Sequence, residues 1–260
     1  MGYVLSIDEI LRRYRSCYSS RPDLGSLLIT ADMKIAMGRT SRKSTGIFIT
    51  LEGGEGSGKT TQARRLCERL TARGLDVLHT REPGGTLLAE HLRSILLDHS
   101  METIAPETEA YLIFAARRQH VDHVIKPALA RGLVVVCDRF SDSTMAYQGY
   151  GRGLDLRVLR TMNNWATGRL APRLTLLFDV PVSVGLRRRR SRGTTQNRLD
   201  RETEQFHRKV RAGFHALARR EPRRIMVIDS TQPLESVAQT VEELVMTRFT
   251  TYPSRTSRRR

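Results

Sequence analysis

The sequence predicts an α/β protein built on a doubly wound parallel sheet with helices on both faces. Three observations carry that reading. The segments "LVVVCD" and "LTLLFDV" are apolar on both faces, as central parallel strands must be. Strand-like runs alternate with helix-like ones from Gly46 onward. A glycine-rich loop, "GGEGSGKTT", sits between a strand and a helix.

In order, "GIFITLE" reads as a short buried strand followed by the loop. A helix runs from there to about Arg73 and is closed by Gly74. "LDVLHT" is a second strand. From Pro106, apolar residues at 111, 114, 115, 121, 124, 125 and 128 describe one long helix ended by Gly132. "LVVVCD", "LTLLFDV" and "RIMVID" supply the remaining strands. Residues 1–45 show no sustained periodicity and contain Met33 and Met37, so they read as an arm or a misassigned start. The organised domain is expected over 46–250, and 251–260, "TYPSRTSRRR", as a solvated tail.

The net charge of +17 suggests acidic partners. The two ends, 1–45 and 251–260, carry +4 each, which leaves +9 for 46–250. A moderately basic core suits small polyanions as well as nucleic acid, and no basic stripe interleaved with aromatics favours the latter. Cys17, Cys67 and Cys137 form neither a disulfide framework nor a zinc pattern. No apolar run approaches the roughly 18 residues of a membrane span, so a cytoplasmic, reducing setting is expected.

Three stretches carry chemistry. Residues 53–61 (Gly53, Gly54, Glu55, Gly56, Ser57, Gly58, Lys59, Thr60, Thr61) fit a loop whose backbone N–H groups cradle phosphates. Lys59 would reach the β- and γ-phosphates and Thr60 would ligate Mg²⁺, which points to a nucleoside triphosphate and leaves the acceptor open. In "TREPGGTLLAEHLR", residues 80–93, a rigid turn at 83–85 fixes Arg81 and Glu82 at the sheet's carboxyl edge, where open α/β sheets bind ligands. "CDRFSDSTMAYQGYGRG", residues 137–153, brings Asp138 and Arg139 to the same edge; Tyr147 and Gln148 follow in what reads as a polar loop without a packing pattern. The loop leaves two questions: what Glu55 holds, and where further positive charge for phosphoryl transfer comes from.

The phosphate loop, "TREPGGT", "DRF…AYQGYGRG" and "NRLDRE", in that order, resemble bacterial thymidylate kinases from about Gly46 to Phe249. That resemblance implies a five-stranded P-loop sheet with a mobile Arg-rich lid at about 187–203. It implies transfer from ATP–Mg²⁺ to dTMP giving dTDP, a homodimer, and no membrane or nucleic-acid partner.

By the same resemblance, Glu55 bonds the 3′-hydroxyl of the acceptor sugar. The catalytic arginine comes from the lid, Arg198 first and Arg192 second. Arg139 binds the acceptor phosphate with Arg81 nearby, Thr144 and Gln148 bond the base, and Arg93 assists there. Tyr147 excludes a 2′-hydroxyl. Phe114 is expected to stack on the base with Arg117 at its edge. Arg118 lies near the same helical face, and the register puts Ile113 where some relatives carry the stacking aromatic. Another small-molecule kinase, or a nucleic-acid-binding module with a vestigial site, are the alternatives.

Overall fold

All neighbouring strands of the sheet run parallel. In chain order they are β1 (Val4–Leu5), β2 (Ile47–Gly53), β3 (Val77–Arg81), β4 (Val134–Asp138), β5 (Leu174–Asp179) and β6 (Ile225–Asp229), and their order in space is β1-β3-β4-β2-β5-β6. The five strands expected within 46–250 are thus present, and the two-residue β1 extends the β3 edge, pairing Val4 with Val77 and Leu5 with Leu78. The computed structural model describes residues 4–5, 46–98, 102–191 and 198–250. The rest of the N-terminal segment, the tail at 251–260 and Arg192 in the lid lie outside the described residues.

Side-chain alternation in β2 divides the interior. Ile49 and Leu51 pack against Leu66, Cys67 and Leu70 of α1 (Lys59–Ala72) and against Val237, Val241 and Val245 of the C-terminal helix Leu234–Thr250. On the opposite face Phe48 packs with Val135, Cys137, Val121 and Ile125. That second face also holds polar groups. Glu52 is fully buried and bonds the Phe140 N–H and the Ser143 hydroxyl; burial, with Asp142 adding to it, pushes its carboxyl up to about 8.

Two expectations change. The long helix from Pro106 is α-helical as α3 only to His120; it widens into a π-helical turn over Val121–Ile125 and resumes as α4 (Lys126–Ala130). Pro127 lacks the N–H that a continuous α-helix would use, and its ring crowds the preceding turn. The stretch containing Tyr147 and Gln148 is not a loop either. A short helix α5 (Ser141–Thr144) continues as a π-helical turn, Met145–Gly151. Met145, Ala146 and Tyr147 are buried there against Phe206, Val210 and Phe214 of the helix Glu204–Arg220, so the segment is core as well as site.

Candidate active site

The phosphate loop leaves β2 at Gly53 and enters α1 at Lys59. Gly56 has φ of 67°, and a Cβ there would overlap the Gly185 carbonyl, so a side chain is excluded twice over. Lys59 Nζ donates to the carbonyls of Gly53 (2.9 Å) and Gly54 (2.7 Å). Burial, with Arg139 adding to it, brings the Lys59 amine down to about 8. A polyphosphate would replace those carbonyls with stronger acceptors. Thr60 Oγ1 donates to Asp138 Oδ2 at 2.6 Å. A hydroxyl and a carboxylate at the loop are hard oxygen donors of the kind Mg²⁺ takes when phosphates and water complete its shell. Among the described residues no cluster of three or more His, Cys, Asp or Glu offers an all-protein metal cage.

Beside the loop lies a cavity of about 130 Å³. Of the expected substrate residues, Glu55, Arg93, Arg117, Arg139, Thr144, Tyr147 and Gln148 line it, together with Glu82, Pro83, Leu97, Ile113, Phe140, Ser143 and Leu199. Glu55 Oε1 receives Arg139 Nη2 (2.6 Å) and the Tyr147 hydroxyl (2.8 Å). Burial alone would raise the Glu55 carboxyl, but Arg139 and Lys59 outweigh it and hold it at about 2. The Arg139 guanidinium stacks 4.9 Å from the centroid of the Tyr147 ring. Arg139 has φ of 69°, an unusual backbone state for a side-chain-bearing residue; its N–H bonds the Leu51 carbonyl. Burial, with Arg81 adding to it, lowers Arg93 to about 10.

Arg117 is only 1% exposed, and its Nε donates to Glu82 Oε2 at 2.7 Å while Nη1 donates to Asn163. His120 bonds the other oxygen of Glu82 and, through its second ring nitrogen, Thr80. The motif 80–86 therefore acts as a brace for Arg117. The "TREP" turn itself closes with Thr86 capping α2 (Leu87–Leu97) through the Ala89 N–H.

Several expected residues sit elsewhere. Arg118 points away from the cavity, to Asp122 and the Trp165 carbonyl, whereas Arg117 lines it. Phe114 does not face the cavity. It packs in the apolar cluster with Ala110, Met145 and Leu159, and Ile113 takes its place on the cavity wall. One residue is about 100° of helix, and that rotation separates wall from core. Arg81 makes a two-pronged pair with Glu90, at 3.0 and 2.8 Å, and is not part of the cavity lining. Asp138 lies at the phosphate loop with Thr60. Arg198 donates to the Leu96 carbonyl and to Glu109, at the α2–α3 side of the cavity.

The sequence reading missed Glu109, which is buried and gathers Gln148, Arg152 and Arg198 around one carboxylate. An acid in the first turn of a helix reads as a partner of the helix dipole. Only the tertiary neighbours reveal its other use.

Comparisons with known proteins identify the family. A thymidylate kinase family profile matches residues 51–241. The chain belongs to the thymidylate kinase family. It is 56% identical over 194 residues to the thymidylate kinase of Thermomicrobium roseum, covering 75% of this chain and 91% of that one. It is 51% identical over 201 residues to that of Pseudomonas fluorescens Pf-5, with 77% and 95% covered. The crystal structure of thymidylate kinase from Ehrlichia chaffeensis superposes with a TM-score of 0.63 at 34% identity, covering 77% of this chain and 98% of that chain.

Proposed function

We propose that this chain transfers the γ-phosphoryl group of ATP to dTMP, giving dTDP and ADP. The observation that carries the reading is the continuity of loop and cavity at Glu55. One residue belongs to the phosphate loop and to the wall of the adjoining cavity, so donor and acceptor meet there.

The roles follow from that meeting point. Backbone N–H groups of the loop and Lys59 hold the donor phosphates. Thr60 and Asp138 hold Mg²⁺, which offsets phosphate charge when bound. Arg139 binds the acceptor phosphate, and Glu55 offers its Oε2, free of bonds among the described residues, to the sugar's 3′-hydroxyl. Tyr147 closes the 2′ position. Arg117, Thr144 and Gln148 address the base edge, and Ile113 its face. The lid supplies the remaining positive charge through Arg198 or Arg192, and an arginine so placed contributes about 10³–10⁵ in rate in related chemistry. For Arg198 this requires exchanging Glu109 for phosphoryl oxygens as the lid closes.

Exposed apolar side chains on α3 and on the helix Leu156–Thr167 support a homodimer: Tyr111 is 59% exposed, Val158 55% and Trp165 85%. The free thiols of Cys67 and Cys137 suit a reducing cytoplasm, and no helix among the described residues is long and apolar enough to cross a membrane.

ADP release with ATP–Mg²⁺ and a panel of nucleoside monophosphates tests the assignment. dTMP is expected to be the best acceptor, dUMP weaker, and purine monophosphates nearly inactive. Faster turnover of AMP or CMP overturns it.

A further inference from the structure

Gln148 lies in the cavity wall, and its amide has two chemically opposite ends. Nε2 donates to Glu109 Oε1 at 2.6 Å. Glu109 does not reach the cavity itself; it is 1% exposed and sits behind Gln148 on α3. Burial alone would raise its carboxyl, but Arg152, Arg198 and Gln148 outweigh that and keep it below the usual carboxylate range. An ionised carboxylate only accepts hydrogen bonds. The amide must therefore turn its NH₂ end toward Glu109, because the opposite orientation would set oxygen against oxygen. Gln148 Oε1 then takes no bond among the described residues, and the side chain that carries it lines the cavity.

That orientation has consequences for the base. Thymine and uracil carry an N3–H donor between two carbonyls; cytosine carries a bare N3 acceptor beside an amino group. An amide oxygen set against N3 accepts from the N3–H of the first and opposes the N3 lone pair of the second. Arg117, which can only donate, reinforces the choice by suiting a carbonyl.

We propose that Glu109 is a positioning residue that pins the Gln148 amide with its oxygen toward the cavity, so that the site takes a pyrimidine with an N3–H and rejects one with a bare N3. The inference rests on the dTMP reading above. Rejection works through unpaired and opposed polar groups, the device that gives the largest discrimination between near-isosteric ligands.

The test compares kcat/KM for dTMP and dCMP in the parent, Glu109→Gln, Glu109→Asp and Arg152→Gln. In Glu109→Gln the neutral amide presents either end to Gln148, so the pin is lost. The dTMP:dCMP ratio is expected to fall about tenfold or more, mainly through a higher KM for dTMP. Arg152→Gln removes another partner of the same carboxylate without touching Gln148, and the ratio is expected to hold. Should Glu109→Gln fail to fold, Glu109→Asp keeps the charge but draws it back by one methylene from all three partners; with Arg152→Gln as the control for the arginine contacts, a smaller fall in the ratio is expected. A purely structural role for Glu109 would depress both substrates equally. A parental ratio in a folded Glu109 variant, or an equal fall in Arg152→Gln, overturns the proposal alone. A parent that uses dCMP as readily as dTMP overturns the substrate reading and the Glu109 proposal with it.

Discussion

Arg139 and Glu55 face each other across the mouth of the cavity, Nη2 to Oε1 at 2.6 Å, and the pair joins the strand end that carries Arg139 to the phosphate loop. One carboxylate thus has two duties. It holds Arg139 in place, and in the proposed reaction its second oxygen, without a bond among the described residues, is left for the acceptor sugar.

Replacing Glu55 with Gln separates those duties from the chemistry. KM for dTMP is expected to rise about tenfold or more, since a charge-assisted bond to Arg139 and a sugar contact are both weakened. dTMP lacking its 3′-hydroxyl should be penalised less by the variant than by the parent. Equal penalties in the two proteins would return Glu55 to a purely structural partnership with Arg139.

Lys59 gives a pH signature. Its amine in the free protein stands at about 8, so it is charged below that pH and neutral above it. Polyphosphate favours the charged form, so binding above pH 8 must restore the proton. ATP affinity is expected to be nearly flat below pH 7 and to weaken above 8 by up to about tenfold per unit, with proton uptake. Calorimetry at pH 9 in buffers of different ionisation enthalpy reads that proton directly. Constant affinity from pH 7 to 9.5 without uptake would remove Lys59 from the phosphates.

Ile113 and Phe114 are adjacent in sequence and serve different ends. Phe114→Ala should cost about 3–5 kcal/mol of stability, as truncation of a buried aromatic does, with KM for dTMP little changed in the folded fraction. Ile113→Ala should leave the melting temperature near the parent's and raise that KM several-fold. Reversed outcomes in thermal melts and steady-state kinetics would put Phe114 against the base after all.

Arg198→Ala distinguishes anchoring from catalysis. If the lid delivers this arginine to the moving phosphoryl group, kcat falls by about 10²-fold or more while dTMP affinity holds, because that contact forms mainly in the transition state. The lost pair with Glu109 shows separately as a lower melting temperature. Parental kcat would transfer the role to Arg192.

Much of this protein was legible in its sequence because the signals are local. The bilaterally apolar strands, the glycines of the phosphate loop and the order of "TREPGGT" and "DRF…AYQG" specify a parallel sheet and bring Glu55, Lys59, Thr60 and Arg139 to its carboxyl edge. The loop glycines are the part that backbone geometry demands, since Gly53 and Gly56 have positive φ and lie against the backbone of Phe178 and Gly185. The breaks from expectation arise where tertiary neighbours set the outcome. Tyr147 and Gln148 look like loop residues until helix Glu204–Arg220 supplies the apolar surface that buries their turn. Phe114 and Ile113, or Arg117 and Arg118, differ by one step along a helix, and periodicity is too coarse to say which step faces a cavity. The tertiary structure decided it by packing Phe114 under the π-helical turn and by setting Glu82 against Arg117. Glu109 is the extreme case. Its partners at 148, 152 and 198 are distant in sequence, and a buried carboxylate's charge is satisfied only by groups that the fold brings to it.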